Sequence, residues 1–344
     1  MPSARYSNIL VRATNWLGDA VMSLPALRAI RAAYPQARIT LIAKPWVADV
    51  YARETFASEI VPYSAASYRD KVRFALALRR GSYDCAILLQ NAFEAAGMAA
   101  IARIPEVIGY DRDGRGFLLT RAISVPKSGE IPEHERYYYL ELLRRAGVIQ
   151  ELPDSERIEL EGAAEARQAG RVLLGDKGVA GAVVGVSPGA AFGSAKQWLP
   201  ERFAEAAAEV AMRRGATVVV FGSSAERALG DQVAGLVHAR GVACVNLAGQ
   251  TTLAQFIDMA AACDLFLTND SGAMHVAAAL GVPVVAVFGA TNAAATGPSG
   301  ARVRVVQEPV ECSPCLLREC PIDHRCMTGV SAGRVAETAL DLLK

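Results

Sequence analysis

The 344-residue chain lacks any run of about 18 or more uncharged apolar residues, which argues against a membrane-spanning helix. Met1 to Asn8 holds no apolar segment of the kind that opens a secretory signal, so a cytoplasmic protein is expected. Excess charge is missing too. Lys and Arg total 36 against 35 Asp and Glu, a net charge of +1, whereas generic nucleic-acid binding needs clustered basic surface. An anionic partner must therefore be met locally. Neither Gly-x-Gly-x-x-Gly nor Gly-x-x-x-x-Gly-Lys-Ser/Thr occurs, which weakens nicotinamide-dependent oxidoreductase and P-loop readings. Short-period repeats and low-complexity tracts are absent, so solenoids and disordered tails are set aside.

What is present is alternation. Hydrophobic residues make up 52% of the chain and are cut into short runs by Gly, Pro and charge, a globular pattern long enough for two cores. Strand-length apolar runs alternate with helix-period segments, which predicts α/β architecture with parallel, doubly wound sheets. In the first half, strands are expected at 8–13, 38–43 and 83–89, and helices near 20–33, 68–80 and 134–146. The stretch from Gly147 to Gly162 turns acidic and polar and reads as a linker. The expected domains are 1–160 and 161–344. In the second, a helix is expected at 163–174 and strands at 181–186, 217–221, 264–268 and 283–288. Helices are expected at 225–237 and 272–280, another opens at Pro200, and the last, 332–343, could pack on either domain. Two such domains would present the carboxyl ends of their sheets to a common cleft, where ligands of these folds bind.

Three motifs carry chemistry. In TNWLGDAVMSLPALRAIR, Gly18 permits a sharp turn and Asp19 falls at a helix start. There it is either an N-cap or an ionised carboxylate able to accept a proton from an attacking hydroxyl. In GVSPGAAFGSAKQWLPERF, small residues from Ser187 through Gly189 to Ser194 allow backbone amides to cradle phosphate, and Lys196 adds a full charge. Such a group can stabilise a departing diphosphate; the plainer reading is an ordinary loop with a solvated lysine. In DLFLTNDSGAMHVAAALGVPVVAVFG, Asp270, Ser271 and Gly272 open a helix with His275 one turn along, a ready anion site. Asp270 would repel phosphate, so it is assigned to a sugar hydroxyl or to fixing the loop, and His275 either donates to the ligand or is structural.

Seven cysteines do not suggest a disulfide framework in a cytoplasmic chain. Cys85, Cys244 and Cys263 sit in apolar stretches as core residues. Cys312, Cys315, Cys320 and Cys326, with His324 among them, are spaced C-x2-C-x4-C-x5-C. This set is either four thiols or a structural metal site, although the spacing is not that of a standard zinc ribbon. Arg69, Lys71, Arg73, Arg112, Arg115 and Arg121 are candidates for an acidic acceptor or simply solvated surface.

Taken together, NWLGDAVMSLPALRAIR, SPGAAFGSAKQW, NDSGAMHVAAALGVPVVAVFG and the CSPC segment resemble the ADP-heptose:lipopolysaccharide heptosyltransferases of glycosyltransferase family 9. The turn at Asn15 and Trp16 is closest to the heptosyltransferase II branch. The resemblance implies a GT-B fold, an inverting transfer with no required metal or cofactor, ADP-heptose as donor and lipid-anchored heptosyl-Kdo2-lipid A as acceptor. It implies Asp19 as base, Lys196 on the donor diphosphate, and Asp270, Ser271, Gly272 and His275 in the donor signature. Glu226 would meet the adenosine ribose or merely open a helix. Peripheral contact with the inner membrane follows from the acceptor. The alternatives are another core heptosyltransferase with the same donor, such as heptosyltransferase I, or a non-catalytic nucleotide-sugar binding protein.

Overall fold

A computed structural model describes residues 6–153 and 157–344. Residues 1–5 and 154–156, which include parts of the expected leader-free N-terminus and of the expected linker, lie outside the described residues. The chain divides into two units, 1–155 and 156–344. Each carries a six-stranded sheet whose described pairings are all parallel.

In the first unit the strands are β1 (Asn8–Arg12), β2 (Arg38–Ala43), β3 (Glu59–Pro62), β4 (Cys85–Leu88), β5 (Glu106–Tyr110) and β6 (Arg121–Ile123), in the order 3-2-1-4-5-6. The second unit has β7 (Ala182–Ser187), β8 (Ala216–Val220), β9 (Cys244–Asn246), β10 (Leu265–Asn269), β11 (Val284–Phe288) and β12 (Val303–Gln307), ordered 12-11-10-7-8-9. Both orders reverse direction between the first and fourth strands. That reversal opens a crevice at the carboxyl ends of β1 and β4, and of β7 and β10. The central strands are buried along nearly their whole length, as parallel sheets covered on both faces require.

Five strands, β3, β5, β6, β9 and β12, were not expected from the pattern. Four of them are edge strands, β5 lies next to an edge, and β6 and β9 have three residues each. Such segments bury too little to leave a strong signal. The helix expected at 20–33 is two: Leu17–Met22 and Leu24–Ala33, joined at Ser23. Pro25 lies in the first turn of the second, where its missing N–H is tolerated only at a helix start.

Gly170 and Gly185 are two of the places where close packing needs glycine. Gly170, in helix Ala163–Gly175, meets the Asp258 carbonyl so closely that a Cβ would overlap it. Gly185, in β7, leaves room for Phe266; a Cβ there would lie 2.6 Å from its ring. Before helix Ala163–Gly175, Ile158 and Leu160 donate backbone hydrogen bonds to Ser299 and Ala279, both 2.8 Å. Those residues of the expected linker thus pair with the second unit. Helix Ala332–Leu342 packs on helix Pro200–Arg214 and on β12.

In the first unit, helix Arg136–Arg145 packs on helix Leu24–Ala33. Glu135, which precedes it, has its carboxyl pushed up to about 7, first by burial and then by the negative charge of Asp19, against the opposing charge of Arg112. Its ordinary value is 4.5, so between these limits the folded state holds the extra proton. The associated stability is full below the ordinary value and is lost as pH rises through about 7. Glu135→Gln should match the wild type near pH 5 and exceed it by about 2 to 3 kcal/mol near pH 8. Urea unfolding of both proteins at the two pH values measures this, and a difference independent of pH would remove Glu135 as the titrating group.

Candidate active site

The segments around the crevice of the second unit are joined by a single buried amide. Asn269, the last residue of β10 and fully buried, accepts a hydrogen bond from the Trp198 backbone N–H at 2.9 Å. Its own amide donates to the Pro188 carbonyl at 2.7 Å. One side chain therefore joins the end of β10, the loop after β7 and the segment preceding helix Pro200–Arg214. In that fixed loop the turn Ser194–Lys196 carries Lys196, whose ammonium lies 2.6 Å from the Asp270 carboxylate and 4.8 Å from the Phe192 ring centroid. Thr291 donates its hydroxyl hydrogen bond to the same Asp270 oxygen.

Asp270 thus ties the loop through Lys196 and Thr291 and balances the nearby lysine. Helix Gly272–Ala279 follows, with Ser271 as its N-cap making no side-chain cap; the Ser271 hydroxyl lies 3.1 Å from that of Thr268. The first amides of this helix are consequently not capped by Ser271, which suits an anion at the carboxyl end of β10. His275 is buried within the same helix.

Ser187 ends β7 and is buried. Beside it, Gly189 lies against the Glu226 carboxylate so tightly that a Cβ would overlap it. Glu226 closes a capping box, accepting from the Ser223 N–H at 2.7 Å and its hydroxyl at 2.8 Å. The helix-opening role is therefore occupied by one carboxylate oxygen, while the other faces the Gly189 backbone.

The cysteine segment forms part of this wall. His324 lies 3.0 Å from the Ala195 carbonyl, the Arg318 carbonyl accepts from the Ala195 N–H at 3.0 Å, and the Arg318 guanidinium lies over Phe192. Cys326 is buried against Gly289. All four cysteines are free thiols, and among the described residues no group of three or more His, Cys, Asp or Glu side chains is arranged to hold a metal. These contacts make the segment a brace for the lysine loop.

In the first unit, Asp19 lies in the first turn of helix Leu17–Met22, directly after β1. The N-cap is Trp16, so Asp19 is not the capping residue, and helix termini still favour its negative charge. The expected basic residues separate by burial. Arg115 is 0% exposed and spends its guanidinium on the carbonyls of Tyr110 and Gln90 and the side chain of Asn91. It is an internal clamp at the end of β4, not a surface group. Lys71 pairs with Glu94 at 2.6 Å and Arg121 with Glu106 at 3.2 Å. Arg73 lies 3.5 Å from Asp70, and both it and Arg69 are exposed. Thr291 was not singled out in the sequence, and Asn269, placed at the helix start, was given no role of its own. Asn269 had a signal, a polar residue closing an apolar strand; Thr291 had none.

The model of glycosyltransferase family 9 (heptosyltransferase) matches residues 71–325. The lipopolysaccharide heptosyltransferase 2 of Salmonella typhimurium is 33% identical over 307 residues, covering 87% of each chain. A lipooligosaccharide heptosyltransferase 2 of Campylobacter jejuni is 28% identical across 98% of each. The solved structure of Escherichia coli ADP-heptose LPS heptosyltransferase II covers 98% of each chain with a TM-score of 0.81 and 29% identity. The two parallel sheets with their switch-point sites, the motifs placed on them and these likenesses agree: the chain is a GT-B glycosyltransferase that belongs to glycosyltransferase family 9, the heptosyltransferases.

Proposed function

We propose that this enzyme transfers L-glycero-D-manno-heptose from ADP-heptose to the heptosyl-Kdo2-lipid A inner core of lipopolysaccharide, with inversion. The observation that carries the reading is the Lys196–Asp270–Thr291 constellation beside the uncapped start of helix Gly272–Ala279. It supplies a positioned cation and backbone donors where a nucleotide diphosphate would collect charge. Likeness to the named heptosyltransferases supports this choice of sugar and acceptor class.

In the proposed displacement, an acceptor hydroxyl oxygen forms the new bond to the anomeric carbon as the bond from that carbon to the ADP oxygen breaks. Asp19 accepts the hydroxyl proton, and ADP leaves with the electron pair. Lys196 is held ready by Asp270 before donor arrives, so little reorganisation is needed as charge grows on the diphosphate. Ser187, Gly189 and the Ser271–Gly272 amides line the same end of the sheet, His275 lies in the helix behind them, and Glu226 is assigned to the adenosine ribose. No step in this scheme calls on a metal or cofactor from the protein. Because the acceptor is lipid-anchored, the enzyme works at the inner face of the inner membrane; no helix among the described residues is long and apolar enough to cross it.

Asp19→Ala should lower kcat by roughly 10^2 to 10^4 while leaving the donor KM within about twofold. A mass-resolved assay with ADP-heptose and a one-heptose Kdo2-lipid A acceptor measures it, and intact turnover would remove Asp19 as the base. The same assay with a heptose-free acceptor separates this reading from heptosyltransferase I, and donor binding without transfer would mark a nucleotide-sugar binding protein. Lys196→Met should lower kcat/KM by roughly 10^2 to 10^3 and strand the Asp270 carboxylate in a buried site, costing about 3 kcal/mol. Adding Asp270→Asn should restore the urea midpoint but not the activity. Recovery of both would make the pair structural only.

A further inference from the structure

At the carboxyl end of the first sheet, four neighbouring strands deliver charged groups to one place. β1 ends at Arg12, Lys44 follows β2, Tyr63 follows β3, and Glu94 lies in the first turn of the helix after β4. Lys71 reaches in from helix Tyr68–Leu78. The Tyr63 ring is the centre: the Arg12 guanidinium is 5.4 Å from its centroid and the Lys44 ammonium 4.4 Å. Glu94 accepts from the Tyr63 hydroxyl at 2.5 Å and from Lys71 at 2.6 Å.

The charges do not balance. Three cations surround one carboxylate, which already serves Lys71 and Tyr63. Arg12 is 1% exposed, donates to the carbonyls of Ala13 and Ile42 and to the Asn15 side chain, and keeps a buried Nε without a partner. Lys44 lies over the rings of Tyr63 and Trp46 and forms no ion pair among the described residues. Burial holds both cations below their ordinary values, Arg12 at about 10, against the raising influence of Glu94. Uncompensated, partly desolvated positive charge is costly unless an anion joins it.

The place is also open. Lys44 is half-buried and Trp46 is 60% exposed, its indole N–H donating to the Asn15 carbonyl at 3.1 Å. Asn15 in turn leads through Trp16 into the helix turn that carries Asp19. Resting on the transferase reading above, we propose that Lys44, Arg12 and Lys71 form a subsite for an acidic group of the saccharide acceptor, a sugar carboxylate or a phosphate ester. Lys44 supplies the contact, Arg12 and Lys71 the field, and Trp46 a flat wall for a sugar ring. An acceptor anchored there is positioned along the same sheet edge as the proton-accepting carboxylate.

The test uses the full chain. Lys44→Met should raise the acceptor KM by about ten- to a hundredfold while kcat and donor KM stay within about twofold; Lys44→Arg should recover most of the affinity. Acceptors with carboxyls reduced to alcohols, or with phosphates removed, identify the group bound: the correct deletion abolishes the difference between wild type and Lys44→Met. Equal acceptor KM for the two proteins on the intact acceptor, with transfer proceeding, overturns the subsite alone. A fall in kcat together with a rise in donor KM also overturns it. NMR of the methylated lysines, titrated with inorganic phosphate and with a free 2-keto sugar acid at constant ionic strength, reads the site without catalysis. A saturable Lys44 shift in a protein that transfers no heptose would keep the anion site and reject the transferase reading, and no shift with either probe would reject the site.

Discussion

The second unit depends on the hydrogen bonds of one fully buried amide. Asn269 ends a strand that is apolar up to Thr268, and both its oxygen and its nitrogen are used: the oxygen takes the Trp198 N–H, the nitrogen gives to the Pro188 carbonyl. A buried amide that satisfied neither would cost about 1 to 3 kcal/mol for each group. The loop bearing Lys196 is therefore tied to β10 wherever the fold forms. Trp198, almost fully buried and edge-on to Phe203, adds the apolar half of the same anchor. Chemistry at Lys196 rests on this tie, since a flexible lysine would lose rotamer freedom on meeting its ligand.

The two units treat positive charge differently. In the second, Lys196 has a carboxylate at 2.6 Å, and Asp270 has a second donor in Thr291. The lysine is positioned and balanced, ready to exchange partners when a diphosphate arrives. In the first, Lys44 and Arg12 meet ring faces and carbonyls, while the one carboxylate nearby is engaged by Lys71 and Tyr63. Balance there is left to a ligand. Glu135 and Asp19 form the opposite case, two acids whose mutual repulsion adds to burial in raising Glu135. Glu135 thus holds its proton well above the ordinary carboxylate range, close to the proposed base.

The cysteine segment has a structural part to play through residues that lie between its cysteines as well as through Cys326. Its backbone and side chains press on the lysine loop through Arg318 and His324 and on the strand β11 exit through Cys326. Gly193 is needed because the Arg318 carbonyl occupies the space of a Cβ.

Alternation of apolar runs with helix-period segments was enough to determine the α/β class, the central strands of both sheets and the positions of Asp19, Lys196 and the Asp270–His275 turn. Those features are local: a buried parallel strand must be apolar throughout, and a Gly or Ser after it must turn the chain. The short strands β6 and β9 were not legible, because edge strands carry little apolar patterning and take their identity from a neighbour. Nor was the fate of Arg115, which reads like any surface arginine until Gln90 and Asn91 fold over it. The pairing of Lys196 with Asp270 spans 74 positions, and the gathering of Arg12, Lys44 and Lys71 around Tyr63 crosses three strands. Only the strand order decided these, since charge partners separated so far in sequence become neighbours through the sheet and through nothing written nearby.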